Sequence, residues 1–274
     1  MPDMDLKDIA RLEELRQARG IAEIAPEAQP IAGGFMFRAD PGSWMNSAIG
    51  LGFDGQVADD AVEQLIAFHT ERGVEPRIEH SPYADFTLTQ ALERAGFRLR
   101  NFETIFYREL TPHTPITTPH KPPHGLTMEI VDPGDAALVR EYAITAVSGF
   151  FPPDFAVPAS YLESIERAVR HPRVLGIVAR LDGRIIGAGA MEIVGELSAL
   201  FGLSVVEAYR RRGVQQAMIA HRLQLARARG ARIATIGARP AIATERNVRR
   251  MGFQVAYTKV ALTRPRENLA PNLE

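Results

Sequence analysis

The chain has 274 residues, 46% of them hydrophobic, a formal net charge of -1 and no cysteine. This length accommodates one large domain or two ordinary ones, and the composition is that of a globular protein rather than a disordered chain. Near-neutral charge argues against a general polyanion binder, and the lack of cysteine excludes thiol nucleophiles, disulfides and thiolate-bound zinc.

The N-terminal stretch MPDMDLKDIARLEELRQARG is a charged helical pattern without a long apolar run. It resembles neither a secretory signal nor a membrane span, so the expected compartment is the cytoplasm. Further on, HTERGVEPRIEH leads after a turn to LTQALERAGFRLRNFETIFYREL. This block reads as helix, glycine stop, short strand, short helix, Gly-Phe and long strand. Thr111 to Gly125, TPHTPITTPHKPPHG, holds five prolines and reads as an extended connector. Its histidines, His113, His120 and His124, are irregularly spaced with no carboxylate near them, which fits a solvated linker better than a metal site. The predicted division is a domain at 1–110, a linker at 111–125 and a domain at 126–274.

In the second half, LTMEIV reads as a first strand, followed by helices over Asp135 to Ser148 and Ala159 to Arg170. VLGIVARLDGRIIGAGAMEIV gives two β-rich runs joined by Asp182-Gly183, a strong hairpin signal. ELSALFGLSV is a further strand, and a helix over Gln215 to Ala228 follows, with Val214, Met218, Leu225 and Ala228 near one face. A strand at Arg232 to Ile236, a short helix ending at Met251 and a strand at Gln254 to Leu262 close the chain. LARARGARIATIG and TERNVRRMGFQVAYTKVALTRP thus repeat the order of the earlier block. Gly73 to Gly96 spans 23 positions and Gly230 to Gly252 spans 22, and each later glycine precedes Arg108 or Arg264 by 12. Duplication explains the match, and so does punctuation shared by two unrelated α/β segments. Antiparallel hairpins followed by a strand–helix–strand crossover predict an α/β (α+β) fold, a mixed central sheet flanked by helices.

Arg210, Arg211 and Arg212 abut Gly213 where that helix begins. A helix start is already positive, so further cations there are unfavourable unless an anion joins them. Either a bulky anion such as a diphosphate sits on the backbone N–H groups, or the arginines form a solvated loop. Neither GxxxxGK[ST] nor a GxGxxG after a strand is present, which counts against nucleoside triphosphates and nicotinamide dinucleotides.

LSVVEAYRRRGVQQAMIAHRL resembles the acyl-coenzyme A binding segment of the GCN5-related N-acetyltransferase superfamily. Its pattern, Arg/Gln-x-x-Gly-x-Gly/Ala, is met by Arg210 and Gly213, with Gln215 replacing the last small residue. The preceding hairpin and the Gly252-Phe253 strand stand in the family's order, over about 126–264, and the first half resembles a worn copy, as in tandem members. The resemblance implies two tandem acyl-CoA N-acyltransferase-like domains. It further implies acetyl-CoA as acyl donor, no metal, and direct transfer to the amine of a small molecule or peptide. A monomer or homodimer that engages neither nucleic acid nor membrane completes the expectation.

The resemblance also implies roles for particular residues. Backbone groups of Val205 and Val206 would hold the pantetheine arm, with one N–H polarising the thioester carbonyl. N–H groups from Arg211 through Ala217, including Val214, Gln215 and Gln216, would cradle the pyrophosphate, and Arg210, Arg211 and Arg212 would screen its charge. Asn247 would touch the cofactor's other side. The family's usual acid, a tyrosine four residues before Gly-Phe, is here Val248, and its strand glutamate falls near Ala199. Glu196 as base and Tyr257 as acid are the substitutes taken forward, ahead of Glu192 and Glu207. The acceptor is expected near Gly149-Phe150-Phe151-Pro152-Pro153, Phe155 and Tyr161. The first half, GLGFDGQVADDAVEQL, surrounds its helix start with Asp54, Asp59, Asp60 and Glu63, and is expected not to bind coenzyme A. A competing reading keeps binding without turnover, as an acyl-coenzyme A sensor or interaction module.

Overall fold

A computed structural model describes residues 5–152 and 154–273. Residues 1–4, the head of the N-terminal helical pattern, and Pro153 of the expected acceptor loop lie outside them. The elements in chain order are α1 (Leu6–Ala22), β1 (Glu27–Ile31), β2 (Gly34–Arg38), β3 (Ser47–Ile49), α2 (Asp59–Thr70), β4 (Arg77–His80), α3 (Phe86–Arg94) and β5 (Arg98–Glu109). There follow β6 (Thr127–Ile130), α4 (Ala136–Val147), α5 (Ala159–Val169), β7 (Val174–Leu181), β8 (Arg184–Val194) and β9 (Leu197–Val205). A 3-10 turn (Glu207–Tyr209), α6 (Val214–Ala228), β10 (Ile233–Ala238), α7 (Ala243–Arg250) and β11 (Gln254–Thr263) complete the chain.

The two repeated blocks fold alike. Each runs helix, glycine, strand, helix, Gly-Phe, strand, from α2 to β5 and from α6 to β11. Gly73, Gly96, Gly230 and Gly252 all hold positive φ, the conformation that ends a helix without a Cβ clash. The hairpins ahead of them also correspond. Ala32-Gly33 joins β1 to β2 and Asp182-Gly183 joins β7 to β8, each with positive φ at both residues, as a two-residue turn of matching twist requires.

The chain divides into two compact units, Met1–Ile105 with Ala256–Glu274, and Phe106–Val255. This partition differs from a cut at the proline-rich run, because β11 from Ala256 onward belongs to the first unit. There it pairs antiparallel with β4, from Val260 opposite His80 to Thr263 opposite Arg77. The strand order in the first unit is β1-β2-β3-β4-β11-β5, over a core that includes Met36, Leu65, Ile78, Leu88 and Leu92.

At the centre of this unit β11 buries a lysine. Lys259 is 2% exposed, and its Nζ lies 2.7 Å from Glu79 Oε2 and 3.2 Å from Glu14 Oε1 while donating to Gln17 Oε1 at 2.7 Å. Glu103 Oε2 stands at 3.7 Å, and the Tyr257 hydroxyl donates to Glu14 Oε1 at 2.6 Å. Burial raises Glu14 and Glu103 above the usual carboxylate range. Burial acts the same way on Glu79, but Lys259 and then Arg77 outweigh it and hold that carboxyl low. For Lys259 itself, the three carboxylates overcome desolvation and keep the ammonium protonated.

In the second unit the order is β10-β9-β8-β7-β6, with the end of β5 beside β10. β6 to β9 are antiparallel, whereas β10 returns parallel to β9 after the α6 crossover. Asp135 caps α4, its Oδ1 accepting from the N–H groups of Ala137 and Leu138 at 3.0 Å. α6 buries Val214, Met218, Ile219, Leu223 and Ala226; Leu225 is only half-buried and Ala228 is exposed, so the buried stripe sits beside the predicted one. The proline-rich run is irregular, as its prolines dictate, but it is not free. Arg227 donates to the Thr114 carbonyl at 2.9 Å, the His120 N–H donates to Gln216 Oε1 at 3.1 Å, and Ile116 packs on the core.

Replacing Lys259 by methionine leaves the buried Glu14 and the partly buried Glu79 and Glu103 without their cation. Their folded-state pKa values then rise above the unfolded ones, so stability falls as pH rises. The expected loss in K259M is about 3–5 kcal/mol near pH 7.5, and smaller at pH 5. Urea denaturation at the two pH values checks this, and a loss independent of pH would contradict it.

Candidate functional site

The site begins where two parallel strands part. β9 and β10 pair from Leu197 opposite Ile233 to Leu200 opposite Ile236, and β9 then continues to Val205 without β10 opposite it. The departure coincides with a β-bulge. Ala188 faces Ser204 and Ala190 faces Phe201, so Gly202 and Leu203 together stand opposite Gly189. Gly202 takes φ of +60°, which bends the strand at little steric cost.

A buried cation supports the bend. Arg222 of α6 is fully buried, and its Nη1 donates to the carbonyls of Ala190 at 2.8 Å and Phe201 at 3.4 Å, while Nε donates to Met218 O at 3.3 Å. A Cβ on Gly189 would lie 3.1 Å from Leu203 Cδ1, so glycine there leaves room for the bulged leucine. Burial lowers the Arg222 pKa to about 10, which still leaves it cationic at neutral pH. Across the same bend, the Ser204 hydroxyl donates to Ala146 O at 2.6 Å and accepts from the Gly149 N–H at 3.2 Å. A side chain on Gly149 would stand 2.6 Å from that hydroxyl, so this joint between α4 and β9 requires glycine.

Beyond β9 the 3-10 turn leads into the arginine loop. Arg211 holds φ of +61° and Gly213 φ of +77°, the first an unusual conformation for a residue with a Cβ. Gly213 is the N-cap of α6 and offers no side-chain acceptor. The N–H groups of Val214, Gln215 and Gln216, in the first turn, have no carbonyl one turn back. They open onto a cleft of about 750 Å³, lined on one side by Leu203, Ser204 and Val205 and on the other by α7. Arg210, Arg211, Arg246 and Arg250 line it, against the carboxylate of Glu207. His120 closes one edge, its carbonyl and that of Lys121 lying 3.3 and 3.2 Å from where a Cβ on Gly213 would be.

A second cavity of about 610 Å³ adjoins the first, sharing Gly149, Glu207 and Arg210 with it. Its walls are apolar, from Ile144, Phe150, Phe151, Phe155 and Leu162. Phe151 stacks on Phe155 at 4.9 Å between centroids and meets Tyr161 edge-on at 5.2 Å, and burial pushes the Tyr161 hydroxyl up to about 12.

Residues 141–253 match the sequence model of the acetyltransferase (GNAT) family. They form a GNAT acetyltransferase domain. A GCN5-related N-acetyltransferase from Kribbella flavida shares the fold at a TM-score of 0.71 and 18% identity, over 96% of this chain and 98% of that one. Another from Sphaerobacter thermophilus gives 0.56 at 19% identity, over 77% and 68% of the two chains. A tandem GNAT protein from the clavulanic acid biosynthesis pathway gives 0.53 at 16% identity, over 76% and 69%. No curated protein matches the chain.

Val205, Arg210, Arg211, Gly213, Val214, Gln215, Gln216 and Asn247 all line the cleft of the GNAT domain. Others stand apart from it. The Val206 N–H already donates to Ile186 O at 2.9 Å and that of Ala217 to Gly213 O at 3.0 Å, so neither is free to bind a ligand. Arg212 lies over the ring of Tyr209 at 5.6 Å instead of lining the cleft. Asn247 works as a brace: its amide donates to Gln215 Oε1 and accepts from Gln216 Nε2 at 2.9 Å. Glu196 occupies the β8–β9 turn at the far end of β9 from the cleft, about 26 Å along an eight-residue rise, and pairs with Arg232. Tyr257 belongs to the first unit and spends its hydroxyl on Glu14. Glu192 pairs with Arg173 at 2.8 Å. The sequence reading missed Arg246 and Arg250, whose i, i+4 spacing on α7 was the available signal, and it missed Arg222 altogether.

Arg222→Met removes the donor of two buried carbonyls. The expected stability loss is roughly 1–3 kcal/mol, and amide hydrogen exchange at Gly202–Val205 accelerates. Unchanged exchange there would show that the bulge stands without its clamp.

Proposed function

We propose that the second unit transfers an acyl group, acetyl in the simplest case, from acyl-coenzyme A to the amine of an acceptor. The reading is carried by one arrangement: β9 parts from β10 just above an uncapped helix start ringed by arginines. The residues present suit a long ligand with a polar arm and a polyanionic end. Strand alternation turns the Val205 N–H away from β8, because the Val206 N–H bonds Ile186 O on the β8 side. That N–H would polarise the donor's carbonyl. Arg210, whose Nε donates to Val205 O at 3.0 Å, stiffens the strand end. The first-turn N–H groups of α6 would receive diphosphate, with Arg211, Arg246 and Arg250 adding charge. Coenzyme A supplies an acyl group activated as its thioester, with a good leaving group. Positioning and carbonyl polarisation then account for much of the acceleration.

The first unit supports the opposite reading at its equivalent place. β3 has three residues, and Arg11 donates to Phe53 O at 2.8 Å and pairs with Asp54 across the loop that would have to take the phosphates. Asp59 and Asp60 begin α2. We therefore propose one donor site per chain.

Calorimetric titration with coenzyme A tests this, with an expected stoichiometry of one. Gly213→Glu brings a negative charge and an unfavourable left-handed side chain to the mouth of α6, against the His120 and Lys121 carbonyls, and is expected to abolish binding while the overall circular dichroism spectrum is kept. Two molecules per chain, or undiminished binding by G213E, would overturn the assignment.

A further inference from the structure

We infer that the acceptor is a monocationic primary amine with an apolar body of aromatic size, its ammonium on Glu207 and its body in the cavity of Ile144, Phe150, Phe151, Phe155 and Leu162. The inference rests on the donor reading of the neighbouring cleft. Ile144, Phe150 and Phe155 are 51%, 54% and 40% exposed, and all three face this one cavity. Large apolar side chains left open to water in a group mark a binding surface. The volume of about 610 Å³ is that of a small-molecule pocket. The stacked Phe151–Phe155 pair gives the cavity a flat aromatic wall.

Charge selects within that shape. Among the described residues, Glu207 is the one carboxylate lining either cavity, and it lines both. It therefore marks the junction at which an amine entering from the apolar side would meet the donor. One carboxylate matches one ammonium. A polycationic acceptor would find no second acid, and Arg210 on the shared wall would repel its further charges. Tyr209 from the same turn and His120 from the proline-rich run also line the cleft, His120 beside Gly213.

The proton balance follows. The ammonium gives one proton to Glu207, which passes it to solvent. The nitrogen lone pair then bonds to the acyl carbon as the carbon–sulfur bond breaks, and the nitrogen's second proton goes to the departing thiolate. Amide and free thiol result, with one proton released overall.

The test measures thiol release from acetyl-coenzyme A with 2-phenylethylamine, methylamine, an aminoglycoside and a lysine-containing peptide, beside calorimetric coenzyme A binding. The expected kcat/KM for 2-phenylethylamine exceeds the others by about tenfold or more. Phe150→Ser, at an exposed wall, lowers it about tenfold through KM. Glu207→Gln lowers it roughly 100-fold near pH 7, and the rate recovers as rising pH supplies free amine from solution. The acceptor class is overturned if the aminoglycoside or peptide is preferred, if a chain that binds coenzyme A turns over no amine, or if F150S or E207Q leaves the rate unchanged. In each of those cases the donor reading stands. A chain that binds no coenzyme A overturns the donor reading and this one with it.

Discussion

A sheet cannot open between two of its strands without leaving backbone groups that need partners. In the second unit β9 and β10 open after four paired residues, and most of the candidate site follows from how that opening is held. Closure would be favourable, since paired N–H and C=O groups cost far less than buried unpaired ones. The bulge at Gly202-Leu203 prevents it by bending β9, and Arg222 stabilises the bend by donating to carbonyls on both strands of the β8–β9 pair. Burying a guanidinium without a carboxylate is expensive. An apolar residue would fill the space more cheaply, yet it would donate to neither carbonyl. The bend therefore depends on a buried cation that does not itself line the cleft.

The same frame gives a different result in the first unit. Its hairpin, parallel strand pair and crossover helix repeat the order of the second, but β3 is too short to project past β4 as β9 projects past β10. Polar groups there are turned inward. Glu14, Gln17, Glu79 and Glu103 converge on Lys259, which arrives on the last strand of the chain. Such a cluster adds little to stability over apolar packing, but it penalises any other register or partner for β11. A shift of one residue would replace Lys259 with a neighbour facing the opposite side of the sheet and leave three acids unpaired. We read the cluster as a register lock on a strand that must find its place far from its neighbours in sequence.

Local chemistry was legible in the sequence, and pairing at a distance was not. Asp182-Gly183, the four helix-ending glycines and the Arg210–Gly213 loop all announce themselves within a few residues, because turns and caps are set by local φ and hydrogen bonding. The partner of β11 depends on Lys259 meeting acids from α1, β4 and β5, and nothing near Lys259 in the chain indicates them. Arg222 lies on the buried face of α6 with Met218, Ile219 and Leu223, and the predicted stripe through Leu225 and Ala228 did not include it. Glu196 shows the limit of counting along a strand. The spacing to Gly213 put the family's glutamate near Ala199, and Glu196 was the carboxylate at hand at the strand's start; that start is the end closed by a hairpin, away from the cleft.

The arginine loop shows how charge and conformation reinforce one another. Arg211 and Gly213 both take left-handed backbone conformations, so the chain turns tightly enough for the first N–H groups of α6 to face the end of β9. A left-handed arginine costs about 1–2 kcal/mol where glycine would cost nothing. Four arginines around a positive helix end add mutual repulsion to that cost. Inside the chain Arg210 donates to the Val205 carbonyl and Arg246 to the Ala241 carbonyl, while the cleft lining offers Glu207 alone as a counter-charge and places it at the apolar end. On the proposed reading, an anion brought from outside would relieve this electrostatic strain. That relief would be largest where the arginines are and would fall off toward Glu207, so the gradient would orient the donor with its phosphates at α6 and its reactive end at the junction with the aromatic cavity.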